Sequence, residues 1–135
     1  MSSMDNYFWF ITLVGLNGFL ILFLALHVSR LRIVKRIAYG DGGDTDMNQA
    51  IRAHANALEH VTIFCLVVLA MSLAGSSSTL LAILVLSFTL SRCIHGYGMI
   101  GRNFTARRAG AGITYVCELA ALLTLFAQLP ALWPH

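Results

Sequence analysis

Residues 60–91, HVTIFCLVVLAMSLAGSSSTLLAILVLSFTLS, contain no Asp, Glu, Lys or Arg, and the way they divide decides the fold. The run Gly75-Ser76-Ser77-Ser78 is a turn signal between two apolar helices. Counting back from Gly75, the cleanly apolar segment is only Val61 to Ala74, which reaches about 21 Å at 1.5 Å per residue. A bilayer's hydrocarbon core is about 30 Å thick and needs roughly 20 helical residues, so this segment cannot cross alone. The helix must start well before His60, near Asp46 or Met47, and carry polar residues into membrane depth.

Working outward, residues 7–28 form a charge-free first span, residues 47–74 the second, residues 79–99 the third and residues 112–132 the fourth, ended by Pro130 and Pro134. The expectation is an all-α membrane protein, a four-transmembrane-helix up-down bundle occupying residues 1–135 as a single domain. At 135 residues, 58% hydrophobic, 11% charged and a mean hydropathy of +0.75, four spans leave no room for a separate soluble domain. Met1 to Asp5 contain no Lys or Arg, which argues against a cleaved signal peptide. Cys65, Cys93 and Cys117 are odd in number and lie in apolar stretches, so they are expected to be buried apolar residues rather than a disulfide framework.

The nine basic residues share one topology. Arg30, Arg32, Lys35, Arg36 and Arg52 follow span one; Arg92, Arg102, Arg107 and Arg108 close span three or precede span four. By the positive-inside rule both basic connections are cytoplasmic and both termini lie opposite. The same distribution accounts for the formal charge of +3 without nucleic acid, and it sets Arg30 to Arg36 against anionic lipid head groups. Gly40-Asp41-Gly42-Gly43-Asp44-Thr45-Asp46 misses the order of a helix-loop-helix calcium site and is expected to be a flexible connection with Asp44, Thr45 or Asp46 as N-cap. In span one Gly15 and Gly18 suggest close helix packing, and Asn17 a side chain facing the bundle.

Polar residues cluster where they are expensive. Arg52, Asn56 and Glu59 stand at i, i+4 and i+7 and share a helical face, with His54 roughly opposite and His60 beyond them. Arg92, His95, Met99 and Arg102 share a face of the third helix. Glu59 is sixteen residues before the turn and Arg92 fourteen after it, so a hairpin sets them at similar depth, as it does Asn56 and His95. Charge there costs several kcal/mol unless it meets a partner or a water-filled cavity. A buried Glu59–Arg92 pair ringed by Asn56 and His95 is one arrangement. Five or six polar groups at one level exceed what a pair needs, and a binding site is the expectation, with Glu118 of span four joining the network. No nucleophile–base triad and no metal-ligand spacing is evident, since His54 and His60 are six apart.

With Arg52, Asn56 and Glu59 in its second helix, the chain resembles the MAPEG family, the membrane-associated proteins in eicosanoid and glutathione metabolism, whose second helix carries Arg-x-x-x-Asn-x-x-Glu. Ile51-Arg52-Ala53-His54-Ala55-Asn56 is similar to the prostaglandin E synthase branch. The resemblance extends to the basic segment Ser29 to Arg36, to Arg92-x-x-His95 and to Arg107-Arg108, and the Gly-Asp-Gly-Gly run looks like the small bacterial branch.

The resemblance implies a bacterial inner-membrane homotrimer that binds glutathione between subunits near the cytoplasmic face, with membrane lipids and a lipophilic small molecule as further partners. It implies a glutathione-dependent transferase or peroxidase; the alternative from a different class is a non-catalytic scaffold whose polar cluster is structural. Arg30, Arg32, Arg52, His54, Asn56, Glu59, His60, Arg92, His95 and Tyr97 are the implied ligand-binding set. The Arg before span four stabilises the thiolate in the family, which is Arg108 by ungapped counting and Arg107 with a one-residue gap. Glutathione's two carboxylates, amine and thiol suit Arg donors and a carboxylate acceptor. The family's Tyr four residues after His95 is Met99 here, and Ala109 stands where the prostaglandin-forming branch has Ser.

Overall fold

The computed structural model describes residues 3–132, which form four helices: α1 (Ser3–Lys35), α2 (Thr45–Leu73), α3 (Ser78–Ile100) and α4 (Phe104–Leu132). Each contains a stretch long and apolar enough to cross a membrane. Cross-helix contacts fix their directions. Asn17 meets Thr89 and Trp9 meets Ser78, so α1 and α3 run parallel; His60 meets Glu118 and Ser76 meets Gln128, so α2 and α4 do too. Phe64 stacks on Phe88 with ring centroids 3.8 Å apart, pairing α2 antiparallel to α3. The result is an up-down bundle. α2 and α3 form its centre, with α1 packed on one side and α4 on the other.

The termini of the helices follow from their caps. The Asp44 side chain accepts from the Met47 amide at 2.8 Å and starts α2. Ser77 does the same for α3 through Leu80 N–H, after a turn in which Gly75 adopts φ +79°. Asn103 Oδ1 accepts from the Ala106 amide and opens α4 eight residues before the expected position at 112. The expectation failed there because Arg107 and Arg108 read as loop, whereas their side chains extend from a helix that starts in the basic zone. Pro130 lies within α4 rather than ending it: it gives up its own bond to the Phe126 carbonyl, and the helix continues only to Leu132. Pro134 lies outside the described residues.

Lipid tails are as apolar as leucine, so a membrane bundle is held by packing and interhelical hydrogen bonds rather than by the hydrophobic effect. The packing is close where side chains are small. A Cβ on Gly110 would lie 2.6 Å from the His95 amide nitrogen, and one on Gly98 would collide with the Arg107 backbone. These two glycines, not Gly15 and Gly18, bring helix backbones together; among the described residues nothing lies within 4 Å of a Cβ built at Gly15 or Gly18. Asn17 does face the bundle, fully buried, and donates to Thr89 Oγ1 at 2.8 Å. All three cysteines are free; Cys117 is buried, Cys65 half-buried, and Cys93 exposed, contrary to the expectation that all three are buried.

Candidate functional site

The polar residues of α2, α3 and α4 separate into an interior network and an open cleft. Arg92, 1% exposed, occupies the interior. Its guanidinium donates to Asn56 Oδ1 at 2.8 Å and to Thr114 Oγ1 at 3.3 Å, and Ser91 meets the same Thr114 hydroxyl at 2.8 Å. Arg92 Nε is buried with no hydrogen-bond partner among the described residues. The expected Glu59–Arg92 pair does not form. Glu59 is exposed on the outer side of α2, whereas Asn56 lies one turn earlier on the rim that faces α3.

Two histidines complete the interior. His60 Nδ1 lies 2.7 Å from Glu118 Oε1 and its ring tilts against Tyr115, so Glu118 does join a network, with His60 as partner. His95, 5% exposed, donates from Nδ1 to the Arg107 carbonyl at 3.0 Å. Arg92, Asn56, His95, His60 and Glu118 thus engage one another or their neighbours. His54 stands partly exposed on the opposite flank of α2 with no polar contact among the described residues.

The cleft lies at the basic end of the bundle. It encloses about 530 Å³ and is lined by Asp41, Gly43, Asp44, Thr45, Asn48, Gln49, Arg52, Met99 and Arg107. Arg52 and Arg107 face it together, one from α2 and one from the first turn of α4. Arg108 points elsewhere, its guanidinium 5.4 Å from the Phe104 ring centroid. Met99 forms an apolar wall and packs inward on Leu24, Ala53 and Ala57. Tyr97 is absent from this cleft; it lines an apolar groove between α1 and α3.

The connection from Arg36 to Asp44 is built rather than flexible. Arg32 donates to the carbonyls of Ile37, Ala38 and Gly40, so its guanidinium is committed to the loop. Asp41 accepts from the Gly43 amide and from Asn48 Nδ2. Lys35 bridges Asp44 at 2.6 Å and Asp46 at 3.1 Å, and Asp46 also pairs with Arg102 of the α3–α4 turn. The Lys35 ammonium, helped by the Met47 amide, holds the Asp44 carboxyl below the usual carboxylate range. Arg30 is exposed and makes no hydrogen bond or ion pair among the described residues.

Sequence reasoning missed Asn48, Gln49 and Thr114. Asn48 precedes Arg52 by one helical turn and Thr114 precedes Glu118 by one, so extending each polar face by a turn would have found both. Asp41 reads in the sequence as loop and Asp44 as a candidate N-cap, which it is; that both line the cleft is visible only in the structure.

The model of the MAPEG family matches residues 10–127. The inner membrane protein YecN of Escherichia coli strain K12 is 33% identical over 115 residues, covering 85% of this chain and 88% of its own length. YecN of the O6:H1 strain matches to the same extent.

Proposed function

The chain belongs to the MAPEG family, and from that premise we propose that it is a bacterial inner-membrane protein that binds glutathione in the cleft beside Arg52 and Arg107. It assembles as a homotrimer and acts as a transferase or peroxidase on a lipophilic electrophile. The observation that carries the reading is that two arginines from different helices, Arg52 and Arg107, line one polar cleft together with Asp41, Asp44, Asn48 and Gln49.

The donor set suits the ligand. Arg52 and Arg107 present planar forks to two carboxylates, Asp41 keeps acceptor capacity for an ammonium, and Asn48 and Gln49 offer amides to a peptide backbone. When bound, glutathione supplies a thiol nucleophile. Arg108 points away from this cleft, beside Phe104, so the thiolate it favours is that of a glutathione held by the neighbouring subunit of the trimer. Met99 closes the inner wall and limits water there. By the positive-inside rule the cleft faces the cytoplasm and both termini lie opposite.

Binding is tested by titrating purified protein in detergent with glutathione, read by calorimetry and thermal shift. Arg52→Ala and Arg107→Ala each weaken affinity about tenfold or more, near 1.4 kcal/mol. No heat and no shift with the wild-type chain would overturn the proposal.

One observation favours a second reading, a non-catalytic scaffold. Arg92, Asn56, His95, His60 and Glu118 are engaged within the chain, which is how a purely structural network behaves. That reading expects intact folding and no response to glutathione.

A further inference from the structure

A second depression, sharing no residue with the polar cleft, lies between α1 and α3 at membrane depth. It encloses about 300 Å³ and is lined by Leu20, Phe23 and Leu24 of α1, and by Cys93, Gly96, Tyr97, Ile100 and Gly101 along α3 and its C-cap. The lining is almost wholly apolar. It owes its depth to Gly96: a Cβ there would meet only Leu24 Cδ2, at 4.0 Å, so the space belongs to the groove and not to a neighbouring backbone.

The surroundings point to one occupant. At this depth hydrocarbon replaces water, and an open apolar groove among spanning helices is filled by hydrocarbon. Its volume stands at the lower end of the roughly 300–1,000 Å³ of small-molecule pockets, enough for one chain rather than a bulky headgroup. Arg30 follows Phe23 by seven residues, hence on the same helical face about two turns, roughly 10 Å, toward the basic end. Its guanidinium is exposed and, among the described residues, unpaired, whereas Arg32 and Lys35 are committed to the loop and to Asp44 and Asp46. An apolar groove ending below an unpaired cation matches an anionic amphiphile.

We propose that the α1–α3 groove holds an acyl chain of an anionic phospholipid, with its phosphate on Arg30. The groove shares no residue with the polar cleft, and the proposal gives Arg30, a member of the glutathione-binding set that the resemblance implies, to a lipid phosphate instead.

The test reconstitutes the full-length protein into vesicles of mixed phosphatidylglycerol and phosphatidylcholine, extracts it gently and counts retained lipid by native mass spectrometry. The wild-type chain retains phosphatidylglycerol in preference to phosphatidylcholine. Gly96→Leu fills the groove and abolishes retention. Arg30→Gln lowers the preference about fivefold, the worth of one basic residue near a charged leaflet, while Arg36→Gln leaves it unchanged. A second readout does not depend on how Gly96→Leu folds. With Cys65 and Cys117 replaced by Ala, labelling of Cys93 by a membrane-soluble maleimide is slowed by phosphatidylglycerol and not by phosphatidylcholine. Equal retention of both lipids, insensitivity to Arg30→Gln, or a Cys93 shielded in every lipid because a second copy covers the groove would each overturn the proposal.

Discussion

His95 donates from Nδ1 to the carbonyl oxygen of Arg107, 3.0 Å across the contact between α3 and α4. A carbonyl can only accept, so the proton sits on Nδ1 and, in the neutral ring, Nε2 is the free acceptor. The bond ties a buried side chain of α3 to the backbone of Arg107, a residue that lines the cleft. Helix packing and the candidate site are therefore linked at one point, where Gly110 seats α4 directly on the His95 backbone.

Replacing Gly110 by Ala should push the two helices apart. The new Cβ would lie 2.6 Å from His95 N and 2.8 Å from its Cα, and backbone cannot yield as a flexible side chain does. Overpacking of this kind costs about 1–3 kcal/mol. Gly15→Ala, which meets nothing within 4 Å, is the control and leaves stability unchanged or raises it by up to about 1 kcal/mol through helix propensity. Thermal unfolding in one detergent, followed by circular dichroism, separates the two; equal losses would mean that the α3–α4 contact is not tight at Gly110.

A second prediction concerns the buried guanidinium of Arg92. Asn56→Ala removes its 2.8 Å acceptor and leaves a buried charge short of a partner, a loss of about 1.5–3 kcal/mol. Asn56→Asp keeps an acceptor at the same place and adds opposite charge, so it retains most of the stability. The ordering Asp above Ala in denaturant midpoint is the expected result, and the reverse ordering would remove Arg92 from the role given to it.

The four helices were legible because composition and length leave few alternatives, and the short apolar reach of residues 61–74 located the start of α2 within two residues of Thr45. The polar residues were legible as a group but not as pairs. Helical periodicity places Asn56 and Glu59 on one broad face, yet only side-chain reach decides that Arg92 binds Asn56 while Glu59 stays outside. Arg107 and Arg108 are adjacent in sequence and lie about 100° apart on a helix, so counting could not say which one enters the cleft. The Gly98 and Gly110 contacts depend on how α3 crosses α4, which no single-helix pattern encodes.

Acid should loosen the start of α2. The Lys35 ammonium and the Met47 amide hold the Asp44 carboxyl below its unfolded value of about 3.9, so its contribution is complete above that pH and is lost as pH falls through the lower, folded value. Asp44→Ala removes the cap, lowers stability at neutral pH, and flattens the acid limb of the stability curve. Asp44→Asn still caps but no longer titrates, so it should match the Ala variant in acid response and the wild type in cap strength. Stability measured against pH for the three chains checks this, and an Asn variant with an undiminished acid limb would assign that limb to other carboxylates.

The adjacent arginines should differ in kind. Arg107 shares the cleft with Arg52, so Arg107→Ala weakens glutathione affinity about tenfold or more, whereas Arg108, held over Phe104, contributes little to affinity. Arg108→Ala should instead reduce the fraction of bound glutathione that is deprotonated, seen as loss of thiolate ultraviolet absorbance and a rise in the apparent thiol pKa. One guanidinium would then govern binding and its neighbour the charge on sulfur. If Arg107→Ala alone changes the absorbance while affinity holds, the assignments exchange, and Arg107, the one of the adjacent pair that lines the cleft, becomes the one that stabilises the thiolate.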